Sequence, residues 1–367
     1  MEMAKGILLL LFVLAIFTLF SMKAPKGSKA MSGLANAAVA SFLVEAIHAY
    51  ITGDFLGIEF LREVGSSAGS MGGVAAAVLV PIAMGANPIF AVVAGVALSG
   101  YGILPGFVAG YAVGFIAPWI EKKLPTGIDI IGGAILIAPI SRFIAMIVDP
   151  VVNSTLVNIG ETISIASLQS PLVMGFLLGG IIKMICTSPL SSMALTAMLN
   201  LQGLAMGIAA IACVGGSFTN AMVFKKLKLG DNSNVIAVML EPLTQAPLVT
   251  RNPLPIYCSN FFGGGLAGMA AASFGIVNNS PGTASPIPGL LVPFAFNPAS
   301  NVLMALGLAA IGGIVAGYVG ATIFKKMGYK AVLPPEMINK VQCENNGDNV
   351  EKETKISFIE EKIIEKV

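Results

Sequence analysis

One carboxylate stands out in the stretch MLEPLTQAPLVTRNPLPI, residues 239–256. Glu241 is followed at once by Pro242, and three more prolines lie further along the stretch. Proline lacks a backbone N–H and clashes with the preceding turn, so these residues prevent an uninterrupted helix. A carboxylate accepts hydrogen bonds from two hydroxyl groups at once, which suits a polyol such as a sugar. Glu241 is therefore the first candidate binding residue, and Arg251 and Asn252, near the far end of the stretch, are further candidate substrate-binding residues.

The break in the helix around Glu241 has two interpretations. Non-helical backbone is tolerated at membrane depth only where it is buried in protein or lines a water-filled cavity. Transporters use such interrupted segments to build solute sites near the middle of the membrane. Residues 234–256 would then form a re-entrant hairpin with Glu241 near its tip. The alternative is a polar cytoplasmic loop after Lys228 and Asp231, but the apolar residues beside Glu241 favour the hairpin.

A second pair of ionisable residues lies in the segment FLVEAIHAYITGD. Glu45 and His48 are three residues apart, which places them on one face of an α-helix. Ionisable groups inside apolar segments are candidate functional residues because burying them is costly. The pair is either a proton relay or substrate contact, or a polar pair that packs helices together near the outer surface.

The composition is that of a membrane protein. Of 367 residues, 56% are apolar and 11% are charged, against roughly 45–50% and about 25% in soluble domains. Lysines lie in short clusters between apolar runs, and no concentrated basic face is present to bind nucleic acid. The four cysteines show no paired spacing, so we expect neither a disulfide framework nor a zinc site. No catalytic residue, metal or cofactor is predicted.

The apolar runs predict an all-α polytopic membrane protein. A membrane-spanning helix needs about 20 apolar residues, and about ten transmembrane helices are expected. We interpret the first run as a retained membrane helix rather than a cleaved signal peptide, because Lys23, Lys26 and Lys29 follow it. The predicted spans are 6–21, 31–50, 71–84, 87–100, 104–120, 130–148, 171–185, 201–223, 257–274 and 301–324.

Glycine-rich stretches recur in these runs, for example FFGGGLAGMAAA and AAIGGIVAGYVG. Small residues let membrane helices approach closely. A phosphate-binding loop would need a following Lys-Ser or Lys-Thr pair, which these stretches lack. We therefore expect the glycines to form packing seams between helices.

Two further segments do not fit simple spans. Residues 149–170 predict an amphipathic helix along the membrane surface, either an ordinary connector or a moving structural arm. Its apolar stripe consists of Val152, Leu156, Ile159 and Ile163. Residues 186–200 are too polar and too short for a simple crossing, so they either cross in broken form or fold back.

The lysine clusters predict the orientation of the chain, because positively charged loops stay in the cytoplasm. The clusters lie at 23–29, 122–123, 225–228 and 325–326. The loop holding Asp54, Glu59, Arg62 and Glu63 is expected outside, and the C-terminus inside. Residues 1–330 form the predicted membrane domain. Residues 331–367 form a charged tail that ends in a short amphipathic helix.

The sequence EPLTQAPLVTRNP resembles the Glu-Pro segment of enzyme IIC, the membrane subunit of sugar phosphotransferase systems. In that family a glutamate-proline pair opens a re-entrant hairpin and an asparagine-proline pair closes it. The resemblance implies that Glu241 hydrogen-bonds sugar hydroxyls and that Asn252 and Pro253 stand at the closing position, beside Arg251. It covers roughly residues 31–330, includes two hairpins and a surface helix, and is closest to a compact branch that contains perfringolysin O regulator-like proteins.

This resemblance implies group translocation of a sugar or polyol across the cell membrane. The solute binds from outside, a rigid-body movement exposes it inward, and a separate phosphorylated IIB protein phosphorylates a hydroxyl group. IIA and IIB proteins are then partners in trans, membrane lipid surrounds the chain, and a homodimer is expected. The alternative is a membrane-embedded regulator of gene expression that keeps the fold for sensing without active transport.

Overall fold

The computed structural model describes residues 2–125, 128–188 and 191–333, and these residues form helices and no β-strand. The predicted all-helical class is therefore confirmed, while residues 334–367 of the predicted tail lie outside the described part. The α-helices are α1 (Glu2–Lys23), α2 (Gly27–Ala38), α3 (Glu59–Ser70), α4 (Gly72–Ala83), α5 (Pro88–Ala97), α6 (Ile103–Lys123), α7 (Ile128–Val152), α8 (Asn158–Gln169), α9 (Pro171–Thr187), α10 (Ser192–Met198), α11 (Gly203–Leu227), α12 (Asn232–Leu240), α13 (Ala246–Arg251), α14 (Pro253–Ser273), α15 (Pro286–Leu291) and α16 (Ala299–Lys326). The π-helical turns are Val39–Leu43, Ala46–Phe55 and Asn153–Val157, and the 3₁₀ turns are Pro242–Gln245 and Val292–Ala295.

Six helical runs in the described ranges are long and apolar enough to cross a membrane, which makes the chain a multi-pass protein. There are up to seven if α3 and α4, which meet at a bend of 57°, count as one span. The expected number of about ten is not confirmed. Three apolar elements, including α5 and α9, are only 10–17 residues long. The six runs are Lys5–Lys23, Gly27–Asp54, Ile103–Lys123, Ile128–Gln169, Gly203–Leu227 and Ala299–Lys326.

The predicted glycine seams lie between α9, α11, α14 and α16. Gly175 and Gly179 of α9 face Gly264 and Gly268 of α14, four residues apart on each helix. A Cβ atom on Gly175 would lie 2.7 Å from the carbonyl oxygen of Gly268, which is too close for a carbon atom. The two backbones are in contact because neither helix carries a side chain there.

Helices α9 and α11 run in the same direction. Gly179 packs on Ala212, and one turn later Lys183 packs on Gly216. Because α9 and α11 are parallel, the connection between them, residues 188–202, must bring the chain back to the level at which α9 begins. Its only described helix, α10, has seven residues, about 10 Å at 1.5 Å per residue. The described residues 191–202 of this connection contain one short helix and no simple span, as expected.

The segment that holds Glu241 leaves and returns at one end of the bundle. Helices α11 and α14 are antiparallel, since Asn260 donates a hydrogen bond to Asn220 and Gly215 packs on Ala267. The residues between them, 228–252, therefore start and finish at the same end. This is the connectivity that the predicted re-entrant hairpin requires.

A third interrupted segment, residues 274–298, was not predicted. It joins α14 to the antiparallel α16 and begins and ends at the opposite end of the bundle. Gly207 accommodates the carbonyl of Ile276, and the carbonyl of Ala210 packs against Gly289. The signal for it was present in the proline-rich stretch PGTASPIPGLLVPF, residues 281–294.

The predicted surface helix is a continuation of α7 through a π-helical turn into α8. Its apolar stripe packs against protein: Ile163 is fully buried, and Val152, Leu156 and Ile159 lie against the main core. Gly160 makes room for the carbonyl of Leu199. The apolar face of this helix is therefore covered by α1, α9 and α11, and its position along the membrane surface stays a prediction.

The four lysine clusters form two groups. Lys26 and Lys122 line one pocket of about 230 Å³ beside the exposed Trp119. The ammonium group of Lys226 donates a hydrogen bond to Thr322, one turn before the cluster at the end of α16. The clusters of each pair therefore lie together at one end of the helices that carry them. This arrangement is compatible with the predicted cytoplasmic side for all four.

Candidate functional site

Glu241 occupies the break between α12 and the 3₁₀ turn Pro242–Gln245. Its backbone is extended, with φ −145° and ψ 92°, because Pro242 excludes a continuous helix. The N–H and hydroxyl groups of Thr244 donate to the Glu241 carbonyl oxygen at 3.1 and 2.8 Å. The carboxylate is half-buried, and the hydrogen bonds of Glu241 to other described residues are made by its backbone. It therefore keeps most of its capacity to accept further hydrogen bonds.

Lys183 of α9 is a charged residue that the sequence reasoning missed, and the turn after Glu241 packs against its helix. It is the one charged side chain in the described ranges that is fully buried. No carboxylate in the described ranges lies within the 4.0 Å of an ion pair with its ammonium group. A lone lysine in the apolar run LLGGIIKMIC was the available signal.

Three interrupted segments meet beside Glu241. The turn after Glu241 packs against α9, and α12 packs against α15. Ser192 of α10 donates a hydrogen bond to the carbonyl of Ala284, which joins the return path 188–202 to the third segment. The site is therefore built by α9 together with one part of each broken segment.

Two cysteines lie close to Lys183. Cys186, one turn along α9, and Cys213 of α11 are both buried free thiols. Lys183 donates to the backbone carbonyl of Cys213 at 3.3 Å.

Asn252 is fully buried and has all its hydrogen bonds inside the protein. Its Nδ2 donates to the carbonyl oxygens of Leu248 and Val332, both at 2.9 Å. Its Oδ1 accepts from the Tyr329 hydroxyl at 3.0 Å and from the Val332 N–H at 2.9 Å. These hydrogen bonds connect the end of segment 228–252 to the residues after α16. The neighbouring Arg251 is exposed at the end of α13.

Replacing Asn252 by Ala should lower the free energy of unfolding by about 2 kcal/mol, because buried partners would lose their hydrogen bonds. Thermal unfolding of the purified protein in detergent measures this loss. Asn232→Ala is the matched control, since Asn232 is exposed in the first turn of α12. Equal unfolding temperatures for the two variants would contradict the structural role of Asn252.

Glu45 and His48 lie in the helix that continues α2 through two π-helical turns, not on a regular α-helix. The π geometry brings the Tyr50 hydroxyl to 3.5 Å from the Glu45 carboxylate, and Thr52 to 3.4 Å from His48 Nδ1. The Glu45 carboxylate also packs against Gly69 of α3. Glu45 therefore contacts α3, whereas Thr52, the hydrogen-bond partner of His48, lies on the same helix as His48. No hydrogen bond or ion pair among the described residues joins either side chain to Glu241.

A cavity of about 1340 Å³ lies between α1, α9 and α14. Its walls are apolar side chains such as Leu14, Ile181 and Phe261, and Glu241 does not line it. A polar solute needs hydrogen-bonding groups in its site, so this cavity is not the candidate site. No group of three metal-ligating side chains occurs among residues 2–125, 128–188 and 191–333.

Comparison with known proteins gives one match. The model of the family described as "Phosphotransferase system, EIIC" matches residues 28–332, which include Lys183, Glu241 and all three interrupted segments. No curated protein and no solved structure is significantly similar to the chain. The match supports a multi-pass plasma membrane protein that serves as a sugar permease component and works with IIA and IIB proteins in trans. Because the match covers most of the sequence, this chain belongs to the phosphotransferase system EIIC family.

Proposed function

We propose that the chain binds a sugar or polyol at Glu241 and moves it across the plasma membrane for phosphorylation by a separate IIB protein. The observation that carries this proposal is the Glu241 carboxylate. It is half-buried at a helix break where three interrupted segments meet, and it retains free hydrogen-bonding capacity. Such a carboxylate can accept the hydrogen bonds that sugar hydroxyl groups donate to water before the sugar enters the protein.

The chain's own contribution is binding and access. The re-entrant hairpin 234–256 and the segment 186–200 lie at membrane depth in this proposal, and backbone groups at their helix breaks add hydrogen bonds to the solute. Asn252 closes the hairpin and holds it in place, while Arg251 contacts solvent or partner. Glu45 and His48 pack α3 against the helix that follows α2. Phosphoryl transfer takes place on the IIB protein bound at the cytoplasmic side.

The proposal includes a homodimer that is surrounded by membrane lipid. The C-terminus is placed in the cytoplasm, and the chain is placed in the compact branch of the family. The family match supports transport and adds nothing for the regulator alternative. The transport function is therefore the one that we carry forward.

Binding of a solute panel to the purified protein in lipid nanodiscs tests this function. We expect saturable binding of at least one hexose, hexitol, amino sugar or disaccharide, with a dissociation constant between roughly 1 μM and 1 mM, the usual range for transported or converted substrates. The protein must be shown to be folded by its cooperative thermal unfolding. A folded protein that binds no member of the panel would overturn the proposal.

A further inference from the structure

Lys183 is buried at a cost that its own hydrogen bond does not offset. An ammonium group carries three donors, and the bond to the carbonyl oxygen of Cys213, at 3.3 Å, uses only one of them. Burying a charge without a partner of opposite charge is strongly unfavourable. The position of this lysine therefore needs a nearby negative charge.

The surrounding helices are shaped to hold the lysine side chain. A Cβ atom on Gly264 of α14 would overlap the Lys183 Cβ, and one on Gly216 of α11 would overlap its Cγ, Cδ and Cε. The stem therefore runs from Gly264 past Gly216 toward Cys213. Because these two glycines have no side chains, they leave a channel about as wide as the lysine side chain. This channel restricts the positions that the ammonium group can take.

Glu241 is the carboxylate that the structure places near this ammonium group. The turn that follows Glu241 packs against α9, and α12, which precedes it, packs against α15. Gly289 of α15 lies against Ala210 and Val214 of α11, next to the Cys213 carbonyl that accepts the hydrogen bond from Lys183. The two residues belong to different elements and are separated by more than an ion-pair distance. Their charges therefore act on each other across the junction of α9 and the hairpin.

We propose that Lys183 is a positioning residue for Glu241: its buried ammonium group supplies the counter-charge that keeps the carboxylate directed into the junction between α9 and the hairpin. The pair then works as one charged unit, which couples the position of the hairpin to α9. The inference rests on the proposed function only in taking Glu241 as the group that binds the solute.

A double-mutant cycle on thermal stability tests the coupling without any ligand. Lys183→Met keeps an unbranched side chain of similar length in the glycine channel and removes the charge, and Glu241→Gln removes the opposite charge. We expect the shift in unfolding temperature caused by Glu241→Gln to differ by about 2–4 °C between the wild-type protein and the Lys183→Met variant. If Lys183→Met does not fold, Lys183→Gln replaces it with the same expected coupling.

Lys226→Met is the matched control, because Lys226 lies on α11 with its own partners, Thr322 and the ring of Tyr318. Its cycle with Glu241→Gln should be additive. Additive shifts in the Lys183 cycle as well would overturn the inference.

Sugar binding separates the two proposals. Binding is measured with a sugar that the panel identifies. Lys183→Met should weaken this binding about tenfold, because the charge that positions Glu241 is lost. Lys226→Met should leave the binding unchanged. Coupling in a protein that binds no sugar would support the inference and contradict the proposed function. Glu241-dependent binding that Lys183→Met leaves unchanged, together with an additive cycle, would support the proposed function and contradict the inference.

Discussion

Glu241→Gln is expected to weaken sugar binding by about 10- to 100-fold. Gln has the size of Glu but no charge, and its amide has a single acceptor oxygen. Hydrogen bonds to a charged group contribute about 1.5–3 kcal/mol, which corresponds to this range of affinity. The half-buried position of Glu241 strengthens the effect, because a group partly removed from water interacts more strongly with its partner.

Isothermal titration of wild-type and variant protein with the same sugar measures this loss. Glu161→Gln is the matched control, since Glu161 is exposed in the first turn of α8, and it should leave the affinity unchanged. Unfolding temperatures recorded in parallel show whether each variant is folded. If the sugar affinity of the Glu241→Gln variant lies within twofold of the wild-type value, Glu241 is not the binding carboxylate.

Gly268→Leu is expected to lower the free energy of unfolding by about 3 kcal/mol or more. A side chain at this position would overlap the backbone carbonyl of Gly175 on the facing helix. Backbone cannot move aside as a flexible side chain can, so α9 and α14 would have to separate. The unfolding temperature in detergent should fall by roughly 6–12 °C.

Gly307→Leu is the matched control for this substitution. Gly307 is also in a helix, but a Cβ atom there would meet nothing within 4 Å. Leucine should therefore be tolerated at 307, and helix propensity favours it over glycine. Similar losses of stability at positions 268 and 307 would show that the seam between α9 and α14 is not tightly packed. Separation of this seam should also displace Lys183, which is on α9 next to Gly264.

Local chemistry made several features predictable. The break at Glu241–Pro242 follows from proline itself, whatever the rest of the chain does. The glycine seams follow from the size of the residue, and the stripe ending at Ile163 follows from helical periodicity. The Glu-Pro segment also identified the family, which the match over residues 28–332 supports.

Tertiary contacts decided what surrounds other predicted features. Glu45 and His48 lie at π-helical turns, which bring Tyr50 to Glu45. The apolar stripe of residues 149–170 packs against protein, and the position of this segment along the membrane surface stays a prediction. Periodicity indicates which face is apolar and does not identify what covers it.

The sequence by itself determined that this is a helical membrane protein with a carboxylate at a broken helix, since composition and proline chemistry act within a few residues. Only the tertiary structure decided which groups surround that carboxylate. Lys183 and Glu241 are brought to the same junction because α9 and α11 run parallel and the turn after Glu241 packs against α9. Glycine pairs between helices far apart in the chain set this arrangement, and such contacts depend on how the helices pack together.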